Sequence, residues 1–282
     1  MNVVVTGASG FVGRHVVRAL LERGHSVTAV GRDVSHAQAH NWFPQVRFVV
    51  ADVHAPPADL RAAFGDADLV IHLAWPGLPN YRQPFHLDES LPRDFAFLRA
   101  LVLAGYPRLL AIGTCLECVP FDGCYSEDMD GEPTLPYPLA KARLRRQLTA
   151  LQSEHPFVLQ WARLFYMYGE GQNPASLLAQ LDRAIDSGAP GFDMSGGEQV
   201  RDFSPVTDIA AMLVTVAEHP QWQGVTHVCS GVPITVRELV ERHIASRRSS
   251  IRLNLGVFPY PDYEPMAFWG ASARLPVLGV AR

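Results

Sequence analysis

The chain has little lysine, little cysteine and no long run of apolar residues. Of its 24 basic residues only Lys141 is a lysine, and the formal net charge is −4. A chain of this charge has no electrostatic attraction for nucleic acid or for an anionic membrane, so we expect neither as a partner. Its apolar runs fall short of the roughly 18 residues of a membrane span, and no signal segment opens the chain. We therefore expect a cytoplasmic protein that binds a small ligand.

Cysteine is also scarce, with four residues in the whole chain. Disulfide frameworks belong to small secreted domains that lack a core, so none is expected here. Cys115 and Cys118 form a Cys-x-x-Cys pair, but no His-x-x-x-His motif lies near it, and Cys124 and Cys229 are scattered. Structural zinc requires a closer set of ligands. We therefore expect no metal, and we interpret the pair as reduced thiols beside a strand end.

The 282 residues, 48 % of them apolar and 18 % charged, have the composition of a folded globular protein. Short apolar runs alternate with helical patterns in the first part of the chain, which is typical of βαβ units around a parallel sheet. Strands are predicted at residues 2–6, 26–30, 47–50, 69–73, 109–112, 157–164 and 226–229. Helices are predicted at residues 11–23, 138–151, 174–187, 206–218 and 235–246. The fold class is therefore α/β, with a doubly wound parallel sheet.

A glycine motif lies between the first strand and the first helix. Gly7 suits a tight turn, Gly10 lets a pyrophosphate approach the backbone, and Gly13 lets the helix pack closely. Phe11 and Val12 would lie beside the pyrophosphate in the first helical turn, where free amides favour an anion. This position predicts a Rossmann dinucleotide site. We expect residues 1–165 to form that domain, joined by the last two strands, and 166–282 to form mainly a smaller substrate-binding lobe.

The end of the second strand bears on the choice of cofactor. An NAD-specific protein normally has a carboxylate there for the adenosine ribose, but this chain has Gly31 followed by Arg32 and Asp33. Arg32 can pair with a 2′-phosphate, so NADP is favoured and NAD stays open. In the alternative interpretation Arg32 is a solvated turn residue and Asp33 binds the ribose.

Further cofactor contacts are predicted where the next two strands end. Asp52 is placed to accept a hydrogen bond from the adenine amino group, or else it only caps a turn. Val53 follows it, and Leu73 and Ala74 end the fourth strand at the edge where ligands of such sheets bind.

Tyr137 and Lys141 have the i, i+4 spacing that places two side chains on one helix face, with Tyr137 at or beside the N-cap. Moving a tyrosine pKa from about 10 to about 7 takes roughly 4 kcal/mol. An ammonium ~4 to 5 Å away, at an effective dielectric of ~20, supplies roughly 3 to 4 kcal/mol, and a nicotinamide cation can add to it. Tyr137 can therefore act as an acid or base, with Lys141 also donating to the nicotinamide ribose. Thr114, at a strand end, can donate to the same substrate oxygen, or else it is a turn hydroxyl.

Further motifs complete a resemblance that covers nearly the whole chain. They are Val70-Ile71-His72-Leu73-Ala74, Arg163-Leu164-Phe165-Tyr166-Met167-Tyr168-Gly169, and Arg201-Asp202-Phe203 with Asp208. With the glycine motif and the Tyr/Lys pair, they make the chain resemble the extended short-chain dehydrogenases/reductases, the superfamily that modifies nucleotide-linked sugars. The resemblance implies a nucleotide-sugar substrate that the C-terminal lobe grips. A homodimer is one expectation for the assembly.

Five residues are candidates for contact with the substrate. By resemblance Arg201 holds the diphosphate, although it can equally form a surface ion pair with the aspartate beside it. Tyr166 stands where many relatives place an asparagine that binds the sugar phosphate, and Glu117 lies where the family commonly has a Val-Tyr-Gly sequence. Trp75 and Tyr81 lie in the loop after the fourth strand, where they either stack on the sugar or base or pack within the protein.

Departures from the family pattern narrow the reaction. Sugar 4,6-dehydratases typically carry an Asp-Glu pair directly after the catalytic threonine, where this chain has Cys115 and Leu116. Our first hypothesis is a reductase that delivers hydride from NADPH to a dTDP- or GDP-linked 4-keto-6-deoxyhexose, with Tyr137 protonating the alkoxide. The second is a redox-neutral epimerase that uses the same pair. The third, a dinucleotide sensor without catalysis, is disfavoured because a sensor needs only the glycine motif.

Overall fold

The computed structural model describes residues 1–277. The strands within this range are β1 (Asn2–Thr6), β2 (Ser26–Gly31), β3 (Arg47–Val50), β4 (Leu69–His72), β5 (Arg108–Thr114), β6 (Gly123–Tyr125), β7 (Val158–Leu164), β8 (Tyr166–Tyr168), β9 (Gly191–Asp193), β10 (Val200–Pro205), β11 (Gly224–Val228), β12 (Pro233–Thr235), β13 (Arg252–Asn254) and β14 (Phe268–Gly270). The α-helices are α1 (Phe11–Glu22), α2 (Val34–Gln38), α3 (Leu60–Phe64), α4 (Leu91–Leu103), α5 (Pro136–Glu154), α6 (Leu177–Asp186), α7 (Val206–Glu218) and α8 (Val236–Ser246). A π-helical turn, His86–Ser90, leads into α4.

Seven of the strands form one parallel sheet in the order β3-β2-β1-β4-β5-β7-β11. The chain moves outward from β1 in one direction and then returns to continue from β4 in the other. Such a reversal opens a crevice at the carboxyl ends of β1 and β4, where ligands of doubly wound sheets bind. The predicted Rossmann fold class is confirmed. The seven predicted strands all lie in this sheet, with bounds shifted by at most two residues.

Alternate residues along the strands serve two separate cores, because side chains of a strand point to opposite faces. Val3 and Val5 of β1 pack with α1 and α7, and Val4 packs with α4 and α5. The helices contribute Val16, Val17, Leu20, Leu213 and Val216 to the first core and Phe97, Leu98, Leu101, Leu144 and Leu148 to the second. The sheet is thus covered on both faces, which leaves its carboxyl edge for a ligand.

Smaller elements gather mostly after residue 165, and β6 joins them from the earlier part of the chain. A three-stranded sheet has the order β12-β10-β8, and pairs β13-β9 and β14-β6 form two more. Side chains of α6 and α8 share a core with β9 around Leu181, Phe192 and Val240. The same part of the chain also supplies β11 and α7 to the large sheet, so the two regions are interleaved. The division at residue 165 stays a prediction.

Two predicted helix starts are wrong by a few residues. Helix α5 begins at Pro136 and has Leu135 as its N-cap, so Tyr137 lies inside the first turn rather than at the cap. Proline suits that turn because its missing N–H has no helical partner there. Helix α6 begins three residues later than predicted, because Asn173 and Ser176 form a local turn before it. Across residues 1–277, no helix is both long and apolar enough to cross a membrane.

Candidate cofactor and active site

The glycine motif forms a tight turn that joins β1 to α1. Gly7 has φ +68°, and a Cβ there would lie 2.7 Å from the backbone nitrogen of Ala74 on the neighbouring strand's end. A Cβ on Gly13 would lie 2.1 Å from the carbonyl oxygen of Gly7. Both distances are too short for a side chain, so this turn depends on glycine at both positions. The sequence interpretation of these two residues agrees with the geometry.

The N-terminus of α1 fits an anion. Gly10 is the N-cap, no side chain of the described residues caps this helix, and its first turn carries no acidic residue. The free amides and the helix dipole therefore favour a phosphate group. Phe11 and Val12 occupy the same first turn, and their contact with a pyrophosphate stays a prediction.

A cavity of about 290 Å³ opens beside this turn, at the carboxyl edge of the sheet. Its walls come from the ends of β1, β2, β3 and β4. The predicted cofactor residues that line it are Gly7, Gly10, Arg32, Asp52, Val53, Leu73 and Ala74. Its place over the crevice of the sheet, next to the free amides of α1, fits a dinucleotide. Ser9, His36, His54 and Trp75 also line it and were not predicted as cofactor residues.

The residues after β2 differ in their freedom to bind a ribose. Asp33 is the N-cap of α2, where one carboxylate oxygen accepts from the backbone N–H of Ser35 at 2.8 Å and of His36 at 3.2 Å. Arg32 is exposed at the cavity wall and makes no ion pair or hydrogen bond within residues 1–277. The capping role explains Asp33 without a ligand, while Arg32 stays available for one.

Asp52 has the turn role that the sequence left open, and its adenine contact stays a prediction. One of its carboxylate oxygens accepts from the backbone N–H of His54 at 2.9 Å, which stabilises the turn after β3. The side chain is exposed and lines the cavity, so its second oxygen can still accept from an adenine amino group.

Thr114, Tyr137 and Lys141 are all buried, with 8 %, 7 % and 3 % of their surfaces exposed. Burial raises the pKa of the Tyr137 phenol, Tyr81 and Glu117 raise it further, and the Thr114 hydroxyl acts in the opposite direction. Burial lowers the pKa of Lys141 to about 8, against the charges of Asp94 and Glu117. The expected lowering of the phenol pKa is therefore not a property of the protein alone. Without further positive charge, Tyr137 is a protonated acid at neutral pH.

An aromatic cluster surrounds Tyr137. The Tyr81 ring stacks on it with centroids 5.4 Å apart, His86 lies 5.3 Å away and Trp75 6.0 Å away. The backbone N–H of Tyr137 also donates to the carbonyl of Tyr81 at 3.1 Å, which ties the loop after β4 to α5. The rings of Trp75 and Tyr81 therefore pack against other side chains, but they are half-buried and Trp75 also lines the cavity, so their contact with a ligand stays a prediction. His86 was missed, because it begins the short π-helical turn before α4, which gives no periodic signal.

A buried polar chain crosses from the sheet to the cavity wall. His54 Nε2 lies 3.0 Å and His72 Nε2 3.4 Å from one oxygen of Asp94 on α4, and Thr6 Oγ1 lies 2.8 Å from His72 Nδ1. Burial would raise the pKa of Asp94, but the two histidines hold it at about 2. Asp94 therefore keeps a negative charge in the interior, and that charge favours the ammonium of Lys141.

Glu117 has a structural position instead of the predicted place at the substrate. It is 1 % exposed, and one carboxylate oxygen accepts from the backbone N–H of Thr114 at 2.9 Å and from Trp161 Nε1 at 3.1 Å. The other oxygen accepts from Arg163 Nε at 3.2 Å, and Arg163 also pairs with Asp130. Both oxygens are engaged, so Glu117 is not a substrate ligand in this geometry. The signal for this role was the Thr-x-x-Glu capping box, which the structure contains.

Arg201 and Tyr166 converge on Glu264, which the sequence did not single out. Arg201 Nη2 lies 2.8 Å from one oxygen of Glu264, and the Tyr166 hydroxyl donates to the other at 2.7 Å. The ion pair of Arg201 is therefore buried and distant in sequence, not a surface pair with its neighbour. Asp202 instead accepts from the backbone N–H and hydroxyl of Ser230, both at 2.7 Å.

The Cys-x-x-Cys pair lies in a small apolar cluster with Phe165 and Phe268. Cys115, Cys118 and Cys229 are buried free thiols, and burial raises the pKa of each. In the described part of the chain, no group of three or more His, Cys, Asp or Glu side chains could hold a metal ion.

Comparison with known proteins agrees with this geometry. The model of the NAD dependent epimerase/dehydratase family matches residues 3–229. The chain is 30 % identical over 273 residues, 96 % of its length and 100 % of the relative's, to the dTDP-6-deoxy-L-talose 4-dehydrogenase (NAD(+)) of Aggregatibacter actinomycetemcomitans. Its fold matches that of MoeE5 in complex with UDP-glucose and NAD with a TM-score of 0.79 at 25 % identity, covering 97 % of this chain and 90 % of that one.

A second solved structure extends the match in fold. The UDP-N-acetylglucosamine 4-epimerase from Methanobrevibacter ruminantium M1 gives a TM-score of 0.83 at 22 % identity, covering 99 % of this chain and 92 % of that one. The family match spans most of the chain and includes the glycine motif, Thr114, Tyr137 and Lys141. The chain therefore belongs to the NAD dependent epimerase/dehydratase family and is an enzyme of the extended short-chain dehydrogenase/reductase type.

Proposed function

We propose that this enzyme reduces the 4-keto group of a nucleotide-linked 4-keto-6-deoxyhexose, with Tyr137 as the general acid. The observation that carries the proposal is the 30 % identity, over the relative's full length, to the dTDP-6-deoxy-L-talose 4-dehydrogenase (NAD(+)) of Aggregatibacter, together with the buried phenol of Tyr137 as a proton donor. A protonated donor suits reduction of a carbonyl, because the alkoxide that forms must be protonated.

The residues at the site divide the work of this step. A bound reduced nicotinamide supplies hydride to the carbonyl carbon. The Tyr137 hydroxyl donates its proton to the carbonyl oxygen, and the Thr114 hydroxyl donates a hydrogen bond to the same atom. The rings of Trp75 and Tyr81 exclude water from Tyr137, which strengthens both interactions. The two residues directly after Thr114 are Cys115 and Leu116, so the positions that carry the Asp-Glu pair of a dehydratase have no carboxylate to expel a hydroxyl.

Support for the nucleotide and the sugar comes from a similar protein whose name refers to position 4 of the sugar. The relative from Aggregatibacter is named for a dTDP-linked 6-deoxyhexose and for dehydrogenation at position 4. We therefore favour a dTDP-sugar over a GDP-sugar. The test incubates the purified protein with NADPH or NADH and a panel of dTDP- and GDP-4-keto-6-deoxyhexoses, and follows the absorbance of the reduced nicotinamide. Interconversion of stable UDP-sugars without net oxidation of the cofactor would instead establish the epimerase.

We further propose that Arg32 gives this enzyme a preference for NADP. Because Arg32 is exposed at the cavity wall and Asp33 caps α2, a 2′-phosphate meets a free guanidinium there. Arg32→Ala is expected to weaken NADPH binding by roughly 1.5 to 3 kcal/mol and to leave NADH binding nearly unchanged. Fluorescence titration of both cofactors measures this, with Arg252→Ala, a change at an exposed arginine on β13, as the control. Equal losses for both cofactors, or no loss for either, would overturn this assignment and leave NAD, the cofactor in the name of the Aggregatibacter relative, as the alternative.

We also propose that Arg201 binds the substrate diphosphate while Glu264 holds its guanidinium in place. Both side chains are nearly fully buried, so the pair can present a fixed donor to a phosphate. Arg201→Ala is expected to raise KM for the nucleotide sugar by roughly tenfold or more, with kcat little changed, since such binding is shared by ground and transition states. Arg201→Ala leaves the carboxylate of Glu264 buried without its partner. Steady-state kinetics of Arg201→Ala, alone and combined with Glu264→Gln, separate the loss of substrate binding from the effect of that unpaired carboxylate. A lower kcat at unchanged KM would contradict the assignment.

A further inference from the structure

The ammonium of Lys141 lies against an aromatic face. Its Nζ is 3.7 Å from the centre of the Trp75 ring, and the residue is 3 % exposed. Within residues 1–277 no carboxylate forms an ion pair with Lys141, so its direct contact is with the indole. The negative face of an indole attracts a cation, and the attraction grows when water is excluded.

The indole is itself held in one orientation by His86. Trp75 Nε1 donates to His86 Nδ1 at 3.1 Å, and the two rings are nearly parallel, at 17°. Because Nδ1 accepts this bond, the imidazole proton must be on Nε2, which lies 3.1 Å from the carbonyl oxygen of Asn80. His86 is fully buried, and burial lowers its pKa. A neutral imidazole with both nitrogens engaged therefore fixes the plane of the indole.

The same two rings also contact the catalytic tyrosine. Trp75 meets Tyr137 edge to face at 6.0 Å, and the His86 ring lies 5.3 Å from that of Tyr137. Tyr137 and Lys141 lie on one face of α5, so a single aromatic unit touches both. The position of the ammonium relative to the phenol then depends on that unit.

We propose that Trp75, oriented by His86, is a positioning residue that holds the ammonium of Lys141 at the catalytic tyrosine. The inference rests on the proposed function only for the role of Lys141 in catalysis. It assigns Trp75 a function other than contact with the substrate. The orientation by His86 explains why an indole, which has a donor on its edge, stands here.

Four groups other than the indole act on the charge of Lys141 or face it. Asp94 on α4 and Glu117 after β5 favour the ammonium, and burial disfavours it, which gives the pKa of about 8. Neutral His86 faces it from the turn before α4, and Tyr137 precedes it on α5. Replacing Trp75 leaves these groups in place, so a change in the pKa of Lys141 reports on the indole.

The single lysine makes a direct test available. Protein grown with lysine labelled with ¹³C at Cε gives one lysine signal by NMR. The dependence of its chemical shift on pH gives the pKa of Lys141. In the wild-type protein the ε-methylene protons should be shifted upfield by the ring current of Trp75. Trp75→Leu should abolish that shift and lower the pKa by about one unit. Trp75→Phe, which keeps an aromatic face, should retain most of both effects.

Two further variants complete the design. His86→Leu removes the acceptor of the indole N–H and should reduce the upfield shift, while Trp222→Leu is the control, because Trp222 stacks on His219 in a second Trp–His pair. An unshifted lysine signal in the folded wild-type protein would overturn the proposal without any variant. So would an unchanged or raised pKa in Trp75→Leu, which would mean that the indole only excludes water. Since the readout needs no substrate, a wrong substrate assignment leaves this test unaffected.

Discussion

Tyr137→Phe is expected to lower kcat by about 10² to 10⁴-fold, because it removes the proton donor of the reaction. The change deletes one oxygen and keeps the ring, so the contacts of Tyr137 with Trp75, Tyr81 and His86 are retained. The variant should therefore fold normally and bind cofactor with nearly unchanged affinity. Stopped-flow reduction of the keto sugar measures the rate, and titration of the cofactor measures the binding.

Tyr81→Phe is a matched comparison for this result. It also removes one phenolic oxygen, from the ring that stacks on Tyr137 at 5.4 Å, so it changes the same cluster by the same atom. We expect its kcat to fall less than about tenfold, because its hydroxyl transfers no proton in the proposed step. A large loss of kcat in Tyr81→Phe together with a small loss in Tyr137→Phe would show that Tyr81, and not Tyr137, is the general acid.

Lys141→Arg is expected to lower kcat by roughly 10 to 100-fold, although it keeps the positive charge. A guanidinium is larger and planar, and its contact with Trp75 cannot keep the ammonium geometry of a site with 3 % exposure. The ammonium of lysine has three donors around a compact charge. The guanidinium of arginine distributes its charge over a planar group of three nitrogens. Turnover and cofactor affinity of this variant measure the two consequences.

The pH profile gives a second measure of the same variant. Because the pKa of Lys141 is lowered to about 8, its ammonium is present below that pH and is lost above it. Activity that depends on the ammonium should therefore fall as the pH rises through about 8. Arginine stays charged over this range, so the basic limb of Lys141→Arg should move upward. Wild-type turnover with a wild-type profile would remove Lys141 from catalysis and leave the scarcity of lysine as a matter of composition.

The large sheet and its ligand edge could be predicted because their signals are local. Apolar runs gave the seven strands, and the three glycines gave the turn before α1. The prediction that Tyr137 and Lys141 share one face required only that they lie on the same helix. These features depend on neighbours within a few residues, which is the range over which periodicity and propensity act.

The missed residues depend on contacts between distant parts of the chain. Glu264 contacts Arg201 across 63 residues of sequence. His86 begins the π-helical turn before α4. Neither residue belongs to a periodic pattern. Glu117 was named as a substrate candidate because it lies where the family commonly has a Val-Tyr-Gly sequence. Its burial against Arg163, 46 residues away, could not be seen in the local sequence.

The close fit at Gly31 also limits how the cofactor site can evolve. A Cβ at this position would lie 3.2 Å from Cζ of Phe48 and 3.4 Å from Oγ of Ser9. Any carboxylate gained at Gly31 would need the Phe48 ring to shift, and Asp33 cannot take its place without releasing the N-terminus of α2. A carboxylate at position 31 is therefore expected to bind a ribose well only when it is combined with a smaller residue at position 48, which would leave room for it.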